Sequence, residues 1–155
     1  MDVGDYVIRR INGKKPAEVE RALAVSSELE KSLLALLRLL TPQDFELLVD
    51  LVFSTSGWRR VGVGGGTQKT LDLSLILPST GERAFVQVKS HTTSAELTEY
   101  VARIEDDFAH MFYVYHSGEA ELQTPDKRVK VIGPEKLSKL VMDAGLVSWL
   151  ISKVS

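Results

Sequence analysis

A mixed α/β layer fold is predicted, and three observations carry the prediction. Residues 71–77 and 83–89 alternate strictly between apolar and other side chains, as strands of one hairpin do. Apolar residues recur at helical spacing before the hairpin and after it. Two further β-rich runs, 111–115 and 129–132, are each followed or preceded by a helical pattern. The order is helix, three strands, helix, strand, strand, helix, which suits helices layered on a sheet and not a bundle or a sandwich. A chain of 155 residues with 44% hydrophobic and 26% charged side chains is one domain's worth and can bury a core without staples.

The elements follow in order. Residues 1–15 read as a basic arm or short hairpin, with Arg9, Arg10, Lys14 and Lys15 around the turn-like Asn12-Gly13. Pro16 suits a first helical position, and Val19, Leu23, Leu29, Leu33, Leu36, Leu37 and Leu40 form a stripe wide enough to need a partner, within the domain or from a second subunit. We therefore divide the chain into an appendage, 1–40, and a domain, 41–155. Thr41-Pro42-Gln43-Asp44 is a helix start, with a Thr cap and Pro at the first position. Phe45, Leu48, Val49 and Val52 mark that helix's buried face, and Gly57 ends it. Residues 58–63 read as a strand and Gly64-Gly65-Gly66 as a flexible turn; Pro78-Ser79-Thr80-Gly81 turns the hairpin. A Thr93-x-x-Glu96 capping box opens a helix whose face is Leu97, Tyr100, Val101, Ile104 and Phe108. Gly133-Pro134 starts a closing helix to about residue 144, which Gly145 breaks before a last apolar turn with Trp149.

The hairpin concentrates the chemistry. With residues 78–81 as its loop, facing residues have numbers that add to 159. Leu77 meets Glu82, Leu75 meets Ala84, Leu73 meets Val86 and Leu71 meets Val88, an almost wholly apolar side fit for burial. The other side pairs Ile76 with Arg83, Ser74 with Phe85 and Asp72 with Gln87, and Lys89 follows Gln87 on that face. A loop one residue longer or shorter would turn one strand over, so the apolar pairing selects this register. Asp72, Gln87 and Lys89 therefore converge. A carboxylate and an amide oxygen are hard ligands for Mg²⁺ or Mn²⁺, and the backbone carbonyl of Val88 offers another. A neighbouring Lys can orient a metal-bound water and offset charge growing on a phosphate. The same residues also suit a solvated Asp–Lys pair, worth at most about 1 kcal/mol.

These residues carry a resemblance. The stretch LTPQDFELLVDLVFSTSGWRRVGVGGGTQKTLDLSLILPSTGERAFVQVKS resembles the catalytic core of Mrr-type restriction endonucleases, of the PD-(D/E)xK nuclease superfamily. The matching parts are an opening helix with Phe45-Glu46, a Gly-rich strand end, Leu71-Asp72, and Gln87-Val88-Lys89, where most relatives of that superfamily carry Glu-x-Lys. The later MFYVY and VKVIGPEKLSKLV segments are similar to that family's closing elements, so the resemblance spans about residues 41–142. It implies a restriction-endonuclease-like αβββαβ core with a mixed central sheet flanked by helices, and a Mg²⁺-dependent (or Mn²⁺-dependent) endodeoxyribonuclease acting on DNA. Asp72 would be the principal metal ligand, Gln87 a second, and Glu46 an assistant, while Lys89 would act on the attacking water. The sequence departs from the family where Gln68-Lys69-Thr70 replaces an Asp-Gly-Gly run, which removes an acid and makes the approach more basic. That departure motivates a second reading, a catalytically weak or inactive nuclease-fold module that binds DNA or protein.

Arg59, Arg60, Lys69 and Gln68 form a locally basic segment for contact with DNA phosphates. Double-strand cutting needs two sites, so a homodimer is expected. GVGGGTQKT is not a phosphate loop, because that motif requires Gly where Val63 and Gln68 stand, and no nucleotide cofactor is expected. His91, His110 and His116 are too scattered for a metal-ligand spacing, and Ser90 lacks a positioned His-Asp pair. Trp58 and Trp149 read as core or interface anchors. The absence of cysteine removes disulfides and thiolate metal sites. No apolar run suggests a membrane span or a secretory leader, so a cytoplasmic location is expected. The net charge of −2 argues against a nucleic-acid coat but conceals unlike pieces: residues 8–15 carry +4 and 57–70 carry +3, against −3 on 41–52 and −4 on 96–107.

Overall fold

The computed structural model describes residues 13–61, 71–104 and 110–155, and of Leu71 the backbone alone. Ten elements follow in chain order: α1 (Ala17–Leu37), α2 (Pro42–Thr55), β1 (Arg59–Arg60), β2 (Leu71–Ile76), β3 (Arg83–Thr92), α3 (Ser94–Ala102), β4 (His110–Gly118), β5 (Val129–Ile132), α4 (Pro134–Asp143) and α5 (Val147–Val154). The strands make one mixed sheet in the order β1-β2-β3-β4-β5. The first three are antiparallel neighbours, and β4 and β5 run parallel to β3. A parallel neighbour cannot be reached by a tight turn, and α3 supplies part of the crossover between β3 and β4.

Alternation along the central strands gives the sheet two different faces. Leu73, Leu75, Ala84, Val86, Val88, Val114 and Ile132 point into the main core, where they meet Phe45, Leu48, Val49, Val52 and Phe53 of α2. Leu137 and Val141 of α4, Leu150 of α5, and Leu33 and Leu37 of α1 complete that core, with Leu40 just beyond α1. The opposite face carries Met111, Tyr113, Tyr115 and Val129, which pack with Leu97 of α3 and with Leu122. Tyr100, Val101 and Ile104 are half-buried against them. The sheet is therefore covered by helices on both sides, as a fold with parallel strands requires.

Local chemistry explains the helix starts. Thr41 Oγ1 accepts the Asp44 N–H at 3.1 Å, and Pro42 follows where its missing N–H costs nothing. Pro16 sits one position earlier than its sequence suggests: its ψ of 148° is extended, so it caps α1 and the helix begins at Ala17. Only the later part of the α1 stripe is buried. Val19, Leu23 and Leu29 stay exposed, and so does Val25.

Several strands differ in length from the sequence expectation. β3 continues three residues past Lys89 and β4 three past Tyr115, because each strand's end pairs with the other's: His91 faces Ser117, and Thr92 faces Gly118. Of the strand expected at 58–63, Arg59–Arg60 is paired, and Val61 still donates its N–H to Ser74 at 2.8 Å. The last apolar turn is a full helix, α5, whose Lys153 lies 3.7 Å from Asp44 at the start of α2. Trp58 and Trp149 are half-buried against the main core. The arm residues Arg9 and Arg10, the glycines 64–66, Gln68, Lys69 and Phe108 lie outside the described residues. Among the described residues, no helix is long and apolar enough to cross a membrane.

Candidate active site

The site begins with a turn. Gly81 adopts φ +77°, and the N–H groups of Thr80 and Gly81 both reach the Leu77 carbonyl, at 3.2 and 2.8 Å. Thr80 Oγ1 accepts the Glu82 N–H at 3.2 Å, and Leu77 donates to the Glu82 carbonyl at 2.8 Å. This closes a four-residue loop and imposes the register below it. Asp72 faces Gln87, Leu73 faces Val86, Ser74 faces Phe85, Leu75 faces Ala84, and Ile76 faces Arg83. Leu71 stands opposite Val88 in the same ladder.

Asp72, Gln87 and Lys89 consequently share the face that α3 covers. β4 adds to it, since Tyr113 stands beside Gln87 and Tyr115 beside Lys89. Gln87 is buried, and Asp72 is half-buried. Oδ1 of Asp72 is shielded from solvent and has no hydrogen-bond partner among the described residues. Burial pushes the Asp72 carboxyl up to about 6; the Lys89 ammonium opposes this, and the Glu46 carboxylate adds to it. Glu46, on the helix that covers the main-core face, and Asp72, on a strand of the sheet itself, are thus close enough to feel each other.

Two cations are already engaged. Arg60 reaches Glu46 at 2.9 Å and Asp50 at 3.8 Å, so Glu46 is held by an arginine expected to contact DNA. Lys89 Nζ lies 3.0 Å from Glu96 Oε2 on the first turn of α3. That bond holds the Glu96 carboxyl below its usual range. Arg59 is exposed on the edge strand β1.

Glu96 corrects the capping-box expectation. Thr93 Oγ1 does accept the Glu96 N–H, at 3.2 Å, but the Glu96 carboxylate takes its hydrogen bonds from Lys89 and from Thr92 Oγ1 at 3.3 Å. Thr92 Oγ1 in turn lies 2.5 Å from the Tyr113 hydroxyl. Thr92 spends its proton on Glu96, so Tyr113 is the donor in that pair. A straight strand would carry Thr92 about 16 Å beyond Gln87, out of reach of the tyrosine beside Gln87. The end of β3 must therefore bend back over this face. Tyr100 lies against Tyr113, with ring centroids 5.2 Å apart. Burial raises both phenols, so they are donors throughout the neutral range.

Glu96, Thr92, Tyr113 and Tyr100 are the functional-face residues that sequence reasoning missed. Glu96 follows Lys89 by seven residues across a strand-to-helix turn, a spacing without a motif. Two of the histidines stay apart from the site, while His91, two residues past Lys89 on β3, lies near enough to Glu96 for its charge to act on that carboxylate. His116 is buried edge-on to Phe45 at 4.5 Å and donates to, or accepts from, Ser117 at 2.7 Å; burial pushes its pKa down. His110 pairs with Glu82 at 2.5 Å near the hairpin loop, and His91 is exposed on β3.

The donor set fits one hard divalent cation that keeps most of its waters. Asp72 offers an unpartnered carboxylate oxygen, and Gln87 lies directly across the ladder. Val88 is paired with Leu71 on one side and Val114 on the other, so its carbonyl belongs to the ladder and has a single lone pair to give. Among the described residues, no three His, Cys, Asp or Glu side chains cluster as a metal cage. No family model, curated protein or solved structure matches this chain.

Proposed function

We propose that this chain is a metal-dependent DNA endonuclease, hydrolysing phosphodiesters with Mg²⁺ or Mn²⁺, of the Mrr-type restriction endonuclease-like class. The observation that carries the reading is Asp72: an ionisable oxygen buried without a partner among the described residues, opposite Gln87 and beside Lys89. A carboxylate with one oxygen buried and not hydrogen-bonded is costly, and such sites persist where the charge has a use. Further support comes from an opening helix, three antiparallel strands, a crossover helix and a parallel fourth strand, the order that the resemblance implies.

A divalent cation bound there supplies Lewis-acid polarisation of the phosphate and a water of lowered pKa. Asp72 and Gln87 hold it, with the Val88 carbonyl behind them. Lys89 orients the attacking water and offsets charge on the phosphate. Glu46, held by Arg60 here, would be available to assist the cation if Arg60 engaged a DNA phosphate instead, and exposed Arg59 would contact the same backbone. Gln68 and Lys69 belong to the same basic segment.

Supercoiled plasmid and short linear and branched DNA, each with and without Mg²⁺ or Mn²⁺, test this directly. Wild type is expected to cut only with metal, while Asp72→Ala and Lys89→Ala, purified identically, are inert. Equal cutting by all three, or by none, overturns the reading. Engagement of Lys89 by Glu96 and of Glu46 by Arg60 favours one rival, an inactive nuclease-fold module. That module would bind DNA tightly without metal and without cleavage, and the binding would weaken steeply with salt.

Cutting both strands takes two sites, so the active species on DNA is expected to be a homodimer. The exposed Val19, Leu23 and Leu29 of α1 are the apolar surface that a second copy would cover. Sedimentation on a short duplex reads this, and a monomer cutting both strands refutes it.

A further inference from the structure

Lys89 has two acids within electrostatic reach, Asp72 and Glu96, and it is bonded to Glu96. We propose that Glu96 is a positioning residue that holds the Lys89 ammonium off Asp72 and so keeps the buried Asp72 oxygen open to a cation. An Asp72–Lys89 pair is what the hairpin alone would form, since the two side chains share one face two residues apart in register. Such a pair would close the site by filling the carboxylate with an internal cation.

The anchor for Glu96 is built from the interior outward. Tyr113 and Thr92 are fully buried, and their hydroxyls pass a hydrogen-bond chain from Tyr113 to Thr92 to Glu96 Oε2. Lys89 bonds the same oxygen. One carboxylate atom is thus fixed by a buried hydroxyl on one side and offers a fixed acceptor on the other. The bond matters for where it places the ammonium; as a half-exposed ion pair it adds little to stability. The capping role leaves the carboxylate free for this, because Thr93 alone serves the helix start.

The inference rests on reading Asp72 as a cation ligand, and two measurements separate the failure of one from the failure of the other. The first is a metal-free crystal structure of Glu96→Ala, in which Lys89 Nζ is expected within about 3.2 Å of an Asp72 oxygen. In Glu96→Gln, whose amide oxygen still accepts from Lys89, the lysine is expected to stay where it is. The second is Mn²⁺ binding by calorimetry. Glu96→Ala is expected to weaken it about tenfold or more, because an internal ammonium now competes for the carboxylate. Adding Lys89→Met to that variant removes the competitor and should restore binding to the level of Lys89→Met alone. A lysine that stays off Asp72 in Glu96→Ala overturns the proposal. So does an affinity unchanged in Glu96→Ala, or a loss that Lys89→Met does not repair, since a merely structural role for Glu96 predicts that last result. If wild type binds no Mn²⁺, the cation reading of Asp72 falls and takes with it the purpose assigned to Glu96, whatever the position of Lys89.

Discussion

Asp72→Asn is expected to make the protein more stable at neutral pH while abolishing the metal-dependent DNA cleavage proposed for it. The Asp72 carboxyl sits at about 6 in the folded protein, against 3.8 for an ordinary aspartate. Between those values the folded state keeps a proton that the unfolded chain has released, so stability falls as pH rises through this window. Below about pH 4 both states are protonated and the loss is absent; above about pH 6 it is fully present. Roughly two pKa units correspond to about 2 kcal/mol once solvent at the half-buried edge is discounted. In a chain of this size that shifts the midpoint of thermal unfolding by about 4–8 °C. Melting curves from pH 3.5 to 8 should therefore converge for wild type and Asp72→Asn at the acid end, and the variant should melt higher above pH 6. Mn²⁺ should raise the wild-type midpoint above pH 6 and leave the variant unmoved. Cleavage should drop by about 10³-fold or more with the loss of the principal anchor for the cation. A variant that melts at or below wild type at pH 7.5 would show that the carboxylate is compensated and has no spare charge to offer.

The legible half of the site was the half that turn chemistry and parity determine. A four-residue loop and two strictly alternating strands leave a single register that buries Leu73, Leu75, Val86 and Val88 together, and the structure has that register. The pairing of β4 with β3 has no such local determinant. Parallel strands are aligned by packing across a crossover, so the place of Tyr113 beside Gln87 could not be read from spacing. Glu96 was legible as a residue and illegible as a role. Thr-x-x-Glu satisfies a capping box equally well whether or not a lysine waits nearby, and it is the packing of α3 after the strand-to-helix turn that sets Glu96 against Lys89 and Thr92. Arg60 shows the same limit. Its charge suggested phosphate contact, while Glu46 and Asp50, one helical turn apart on α2, lay fourteen and ten residues upstream and met it first. The α1 stripe, uniform in sequence, is buried only from Leu33 onward, although Lys139 of α4 still reaches Glu30 at 3.9 Å.

The bend at the end of β3 makes Gly118→Ala the substitution expected to cost most stability away from the main core. Gly118 has φ +113°, and its register partner is Thr92. A Cβ at this position would overlap the Thr92 carbonyl oxygen and stand 2.9 Å from the Thr92 nitrogen. Both are backbone atoms, which cannot swing aside as a side chain can. The Thr92 carbonyl also accepts the Glu119 N–H at 3.2 Å, so pushing it away breaks the bond that ends the ladder. Gly81→Ala is the matched control: its φ of +77° is also left-handed, but a Cβ there meets nothing within 4 Å. The control should cost about 1–2 kcal/mol from backbone conformation alone. Gly118→Ala should cost at least about 2 kcal/mol more, read as the difference in denaturant midpoints at equal slope. The two changes should also differ at the site. Displacing Thr92 removes the hydroxyl that anchors Glu96, so Gly118→Ala should lower Mn²⁺ affinity as Glu96→Ala does, and Gly81→Ala should leave it intact. Equal stability losses for the two alanines would mean that the strand ends are not pressed together, and the support claimed for Glu96 would go with that contact.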